Sequence, residues 1–558
     1  MMPAYALALA LVVTAPLLAP GYLLLRDAVS TPTAYLTDAA LGLTEAAPRA
    51  LPQDFFVAVA SHVVDGGVVV KLLLVAGLWL AGWGAARLAD VVVPAAGLAG
   101  QFVAATLAVW NPYVAERLLQ GHWSLLVGYG CLPWVAVAVL RLRGGGQERS
   151  DPGRVFSATG TGWAVLFWIA VAGLTPTGLM LAATVALACC AAPGTGRSRP
   201  WCAAVSLGAA VLGALPWLVA PILAGSLSSS QAAGVPEFAA RAEPGLGTLG
   251  SLAGLGGIWN GQAVPDTRTT LFALVATGVL LLVVVVGLPT AVRRPDARPL
   301  LVLAAVAVIA PALMATGPGL AAVEAVVRAV PGLGVLRDAQ KWVALALPGY
   351  AVAGASAVVT VARRVPRGVA AAVCCLALVA VLPDLAWGVG GKVASVRYPP
   401  GWTTAAALVN ADPRPVVVLP QASMRHFPWA GDAPVLDPLP RWVSADVLTT
   451  GDLNIGGRTV PGEGTHARAV ERLVLSGAGV EELAAAGVGW VVVEGGGGSR
   501  LSLPVAFADD DIAVYRVGGE RPAASHRGIA IAAHLAWLAA VLAGAAGMIA
   551  ARRRSAVH

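Results

Sequence analysis

The chain has 558 residues, of which 58% are hydrophobic and 12% charged. A soluble globular protein carries about a quarter charged residues, so half that density leaves too little polar surface to cover a water-soluble particle. The net charge of +7 does not point to nucleic acid, because it is gathered in short loops: Arg141, Arg143, Arg149 and Arg154; Arg197 and Arg199; Arg293, Arg294 and Arg298; Arg363, Arg364 and Arg367; Arg552, Arg553 and Arg554. Short arginine-rich loops mark the cytoplasmic side of a membrane protein.

The apolar blocks are roughly 17–25 residues long, the length a helix needs to cross about 30 Å of hydrocarbon. Span one is expected over 4–26, leading outward and retained, because Pro3 to Leu25 lacks a basic leader and a cleavage site. The loop 27–65 follows, with amphipathic stretches at Thr33–Leu43 and Pro52–Val64. Spans at 66–87, 92–110 and 124–140 come next. The block 160–192 is broken at Thr175-Pro176-Thr177 and reads as two short spans, since proline removes a donor and disfavours helix before it. Further spans are expected at 201–223, 269–291, 299–316, 341–361, 367–388 and 528–550. The chain is thus read as a mainly α, polytopic membrane protein of about twelve spans, with both termini cytoplasmic and every basic cluster on one side.

Residues 1–388 form the transmembrane helical region on this reading, 389–527 a small extracytoplasmic α/β domain, and 528–558 a last helix with a basic tail. Val416–Leu419, Trp490–Glu494 and Ile512–Val517 are β-branched runs of the strand type. His466–Leu475 and Val480–Ala486 read as helices, the second closed by Gly487, and Gly495–Ser499 as a flexible connector. That glycine run lacks the strand–GxxxxGK[ST]–helix arrangement of a phosphate-binding loop. The six cysteines, Cys131, Cys189, Cys190, Cys202, Cys374 and Cys375, sit in apolar segments with no zinc-site spacing and read as packing residues.

Ionisable groups at span ends are the candidates for chemistry, and three clusters qualify on the outer side. Arg26-Asp27 ends span one, and a carboxylate partly desolvated at a boundary suits a general base; an interfacial ion pair is the plainer reading. The segment Asn111-Pro112-Tyr113 through Glu116, Arg117, Gln120, His122 and Trp123 is dense in polar and aromatic groups, suited to sugar stacking or to an aromatic belt. Arg337, Asp338 and Lys341 precede a span, where two cations can hold a phosphate or anchor the helix among headgroups. Glu237 to Glu243, Trp259, Asn260, Gln262, Asp266 and Arg268 form a second tier as part of a cleft wall. His426 and His466 read as surface histidines, and Asp509–Asp511 as a solvated turn.

This layout resembles the GT-C superfamily of polytopic glycosyltransferases, and within it the actinobacterial arabinosyl- and mannosyltransferases and the related YfhO-like membrane proteins. The resemblance rests on the architecture of the whole chain, with Asp27 at the outer end of span one, short helices in 33–64 and a late polar domain. It implies a plasma-membrane enzyme that moves a sugar from a polyprenyl-phosphate donor to a cell-envelope glycan, lipid or protein acceptor. Asp27 would be the base, Arg26, Glu116, Arg117, Gln120, His122, Trp123, Arg337, Asp338 and Lys341 would bind substrate, and the reaction would invert the anomeric centre. The partners implied are the donor, the acceptor and membrane lipids, with no nucleic acid. No metal ligand set is evident, although a divalent cation, Mg2+ or Mn2+, is left open as a cofactor. The first loop carries no Asp-Asp or Glu-x-Asp pair of the kind some branches have. A transporter or flippase for a lipid-linked saccharide, and a non-catalytic cell-wall scaffold, are the competing classes.

Overall fold

The computed structural model describes residues 1–45, 50–144, 158–224, 234–330, 332–420, 422–455, 458–495, 501–521 and 524–557. Most of the 141–154 basic loop and of the 495–499 connector lies outside these residues.

A helix stands at each of the expected span positions. Among the described residues, six helices are long and apolar enough to cross a membrane, and eight when each of two sharply bent pairs counts as one span. Apolar side chains on their outer faces are left open, among them Leu72 (62% exposed), Val302 (64%) and Leu376 (69%). In water such a belt would be an aggregation surface, whereas lipid covers it. The inner faces pack closely: a Cβ on Gly130 would stand 2.2 Å from the Gly77 carbonyl oxygen, so the helices Gly66–Val92 and Trp123–Gly144 touch backbone to backbone. Small residues permit this approach between membrane helices. The turn at Thr175–Pro176 falls where the sequence places it, with the Thr175 hydroxyl accepting from the Gly178 N–H.

Several expectations are corrected, the span at 367–388 among them, since helix Arg367–Ala380 and the segment Pro383–Gly390 meet at 74°. Span one is not helical to residue 26: helix Met2–Thr14 tightens over Ala15–Leu18 and stops. Pro20 cannot donate and Gly21 adopts φ +125°, so the chain turns into strand β1 (Tyr22–Leu25), which pairs with β2 (Ala28–Val29) and with β3 (Ser395–Val396). The span at 299–316 is one arm of a broken pair, helix Gly317–Ala329 leaving helix Arg298–Met314 at 92°. The first amphipathic stretch also shrinks to one turn, Asp38–Leu41, while the second forms helix Gln53–Ser61.

The later strands are β4 (Val416–Leu419), β5 (Met424–Arg425), β6 (Val435–Leu436), β7 (Val447–Leu448), β8 (Leu453–Ile455), β9 (Arg458–Val460), β10 (Trp490–Glu494), β11 (Val505–Ala508) and β12 (Ile512–Arg516). Five of them form one sheet in the order β11-β12-β10-β4-β7, with β10, β4 and β7 parallel. Helices Pro400–Ala411 and Leu439–Trp442 cover one face, burying Trp402, Val409, Leu439 and Trp442 against Val416, Val418 and Val492. Helices Thr465–Leu475 and Val480–Ala485 cover the other with Val470, Val474 and Leu483. The strand and helix runs read from the sequence are thus present, and Gly487 closes its helix at φ +80°. Leu24 and Val29 of the first hairpin enter the Trp402 core, which ties the 22–29 segment to the sheet layer.

Candidate functional site

Arg26 and Asp27 form the two-residue loop between β1 and β2. Arg26 takes φ +49°, the left-handed first position that such tight loops need and that a non-glycine residue adopts at a cost of about 1–2 kcal/mol. It is held there on every side. Its N–H donates to the Pro434 carbonyl (2.8 Å) and its carbonyl accepts from Leu436 (2.8 Å). Its guanidinium donates to the carbonyls of Leu119 (2.6 Å) and Gln262 (2.8 Å). The loop rests on Gly121, where any Cβ would stand 2.3 Å from the Leu25 oxygen and the Ala28 nitrogen. Only glycine fits at that contact.

This clamp places Asp27 over the end of helix Pro112–Leu119. The Asp27 N–H donates to the Gln120 carbonyl at 3.1 Å, and its Oδ2 accepts from Gln120 Nε2 and His122 Nε2, both at 3.0 Å. The His122 Nδ1 lies 3.0 Å from Arg117 Nη1. Arginine can only donate, so Nδ1 accepts and the ring proton sits on Nε2, aimed at Asp27. Arg117 is fully buried and grips Asp338 with two bonds of 2.9 and 3.2 Å, and it also donates to Gln340 Oε1. Lys341 Nζ stands 3.5 Å from Asp338. Seven residues from three separate segments are therefore wired together between Asp27 and Lys341.

Partial burial favours the protonated Asp27 carboxyl, but the bonds from His122 and Gln120 and the charge of Lys341 outweigh it and hold its pKa below the usual value. Burial depresses His122, with the cations Lys341 and Arg117 acting the same way against the bond to Asp27. At neutral pH the pair is a carboxylate and a neutral imidazole. The Asp27 side chain is 41% exposed, whereas those of Asp338 and Arg117 are 7% and 0% exposed.

Glu116 points the other way. Its carboxylate accepts from the N–H groups of Gly257 (3.0 Å) and Ile258 (3.1 Å) and from Gln340 Nε2 (3.0 Å), with no solvent contact. Burial and the nearby Glu243 raise its pKa, opposed by Arg268, Arg117 and the Ile258 amide. Part of the second tier forms this wall: Asn260 donates to Gln120 Oε1 at 2.8 Å, and Arg268 is locked to Glu243, whereas Glu237 pairs with Arg458. Glu116 and Gln120 thus share the helix but serve different neighbours.

The remaining candidates lie apart. Trp123 is buried and faces a cavity beside the sheet. Arg337 lies over the Phe238 ring, 5.3 Å from its centroid, and donates to the Gly334 carbonyl. Asp266 pairs with Lys392 at the surface, and Asp509 caps its own turn by accepting from the N–H groups of Asp511 and Ile512. No cysteine among the described residues is paired. The sequence reading passed over Gln340, which bridges Arg117 and Glu116. It also missed the buried set Arg425, Asp437 and Glu494, whose one signal is a carboxylate closing the apolar run of β10.

Among the described residues no three His, Cys, Asp or Glu side chains are grouped to hold a metal ion. The open face of Asp27 is bordered by Gln120, His122 and the Lys341 cation, a set suited to an anion or a hydroxyl. That surrounding, with the Lys341 cation and the Gln120 and His122 donors aimed at the carboxylate, does not fit Mg2+ or Mn2+.

No protein-family model matches the sequence, and no curated protein is significantly similar to it. A solved structure is similar in fold: the arabinofuranosyltransferase AftD from Mycobacteria, at TM-score 0.54 and 18% sequence identity, over 93% of this chain and 40% of that one. The chain therefore spans less than half the length of the protein it resembles. At that identity the likeness is one of fold alone, and it agrees with the polytopic helical membrane architecture expected from the sequence.

Proposed function

We propose that the chain is a membrane glycosyltransferase acting on a polyprenyl-phosphate sugar at the outer face of the plasma membrane, with Asp27 as its base. The observation that carries this reading is selective exposure. Within a wired cluster of charged groups, Asp27 alone among the carboxylates Asp27, Glu116 and Asp338 offers an open oxygen, and it is held ionised. The fold likeness to an arabinofuranosyltransferase points to the same chemistry.

In the proposed reaction the Asp27 carboxylate takes the proton of the acceptor hydroxyl as its oxygen attacks the anomeric carbon. The bond from that carbon to the lipid phosphate breaks, and the phosphate leaves with the electron pair. Lys341, at the rim of the cluster and 23% exposed, meets the charge that builds on the leaving oxygen. Arg337 is a second cation on the same segment. His122 and Gln120 fix the carboxylate orientation, and Arg117 fixes the His122 tautomer. One base and no nucleophile give inversion at the anomeric centre. The acceptor class is a cell-envelope glycan, lipid or protein.

The test is transfer from a radiolabelled polyprenyl-phosphate sugar in membranes carrying Asp27→Asn. A general base contributes about 10²–10⁴-fold in rate, so the variant should lose that factor with its fold and yield intact. Full activity in Asp27→Asn, with loss in Glu116→Gln, would move the base to the buried wall and end this assignment. Absence of transfer by the wild type with any lipid-phosphate sugar would leave the transporter and scaffold readings.

A further inference from the structure

A cavity of about 200 Å³ lies between the first-loop segments 34–44 and 50–57 and the carboxyl edge of the five-stranded sheet. Its position follows from the topology. The connection from β4 to β7 passes over the face covered by helix Leu439–Trp442, and the connection from β7 to β10 passes over the opposite face, covered by helices Thr465–Leu475 and Val480–Ala485. The cavity lies at the carboxyl ends of β4 and β7. Ligands of open α/β sheets bind outside the carboxyl ends of the strands. Val418 of β4, Leu448 of β7 and Thr449 just beyond it line the cavity.

The wall is both polar and apolar, and its charges are internally matched. Arg441 holds Asp54 with bonds of 3.2 and 3.1 Å. Arg425 holds Asp437 at 3.3 Å and Glu494 at 2.9 Å. Arg425 lines the cavity, is 5% exposed, and its Nη1 has no partner. An unpaired N–H on a buried cation is unfavourable, so it persists only where something else makes the arrangement worthwhile. Arg425 is thus matched by two buried carboxylates, Asp437 and Glu494. No uncompensated cation therefore faces the cavity to attract a phosphate. Tyr35, Gln53, Ser423 and Thr449 add hydroxyl and amide groups, and Tyr35 and Trp123 add ring faces.

We propose that this cavity is a second substrate site, taking a neutral sugar unit of a glycan chain. A pyranose or furanose ring presents C–H faces to aromatic and aliphatic walls and hydroxyl edges to paired charges, each hydroxyl both donor and acceptor. An isoprenoid or acyl chain would instead strip water from Gln53, Ser423 and two ion pairs and return no hydrogen bond. The cavity is tied to the base through the chain: Trp123 lines it and follows His122, which is bonded to Asp27, and Val29 lines it two residues beyond Asp27. A glycan seated on the sheet edge can hand its next unit to the open Asp27 oxygen. That last link rests on the glycosyl-transfer reading; the binding site itself does not.

The experiment is ligand-observed saturation-transfer NMR on the full chain in detergent, with short neutral pentose and hexose oligosaccharides as probes and inorganic phosphate and farnesyl phosphate as controls. Wild type and Asp27→Asn should bind a neutral oligosaccharide equally. Thr449→Trp, which fills the cavity from an exposed position, should abolish binding, and Tyr35→Ala should weaken it by about tenfold, the ratio that about 1.4 kcal/mol gives. Binding that survives both cavity variants, or that disappears in Asp27→Asn, would place the sugar elsewhere and overturn the proposal. So would preference for phosphate or farnesyl phosphate, or absence of binding by any neutral sugar. If binding behaves as expected while Asp27→Asn transfers at the wild-type rate, the site stands and the assigned base falls.

Discussion

Replacing Arg117 by Met removes the centre of the charge chain while keeping most of its volume. Asp338 is left 7% exposed with one cation, Lys341 at 3.5 Å, in place of a two-bond grip. Breaking a buried ion pair from one side costs about 3–5 kcal/mol, because the other charge stays buried and unpaired. That raises the unfolded population by about 10²–10⁴-fold. Removing both charges, in Arg117→Met with Asp338→Leu, should restore most of the loss, since a buried pair is often worth little more than apolar residues of the same volume. The surface variant Arg328→Met, whose partner Glu324 is 3.9 Å away, should change stability by only about 0–0.5 kcal/mol. Denaturation of the purified chain in detergent, followed by tryptophan fluorescence, reads all four proteins. Burial pushes the Asp338 carboxyl up, but Arg117 and Lys341 more than reverse this and hold it well below the ordinary range. The stability this contributes is present above the unfolded value, about 4, and is lost as pH falls. The gap between wild type and Arg117→Met should therefore narrow below about pH 4. A single variant no worse than Arg328→Met, or a double variant no better than the single, would refute the ion-pair account.

Three further outcomes follow from other parts of the molecule. Burial and the nearby Asp38 push the Asp446 carboxyl up to about 6, so its ionisation opposes folding as pH rises through that range; Asp446→Asn should raise Tm at pH 8 and leave it unchanged near pH 4, measured by differential scanning fluorimetry. A Cβ at Gly287 would stand 1.8 Å from the Ala353 carbonyl oxygen, while one at Gly278 meets nothing within 4 Å; Gly287→Ala should lower the yield of monodisperse protein sharply on size-exclusion chromatography, and Gly278→Ala should not. On the proposed topology, a cysteine at exposed Asp510 should react with an impermeant maleimide in intact cells and one at exposed Arg293 only after lysis; labelling in the reverse order would invert every assignment of side.

The membrane class was legible because it depends on composition and on block length, which survive any arrangement of the blocks. The sheet strands were legible for a related reason: Val416–Leu419, Trp490–Glu494 and Ile512–Arg516 are apolar, β-branched and short, and each is buried in the layer. Asp27, His122 and Lys341 stood out as polar groups at the ends of apolar blocks, which is a local property. What joins them is not local. Asp27 and His122 are 95 positions apart, and Arg117 and Asp338 are 221 apart. Their pairing depends on a left-handed Arg26 and on the absence of a side chain at Gly121. Pro20 and Gly21 are the local signal that the first span stops, but Tyr22–Leu25 is as apolar as the helix before it, and only pairing with residues 28–29 and 395–396 makes it a strand. The sequence could not separate Asp27 from Glu116: both carboxylates sit beside a basic residue near a span end, and burial alone makes one a closed structural anchor and leaves the other open. The residue types set which groups could carry charge near the membrane; contacts between distant segments decided which of them stays open, since exposure and hydrogen bonding are properties of the packed chain.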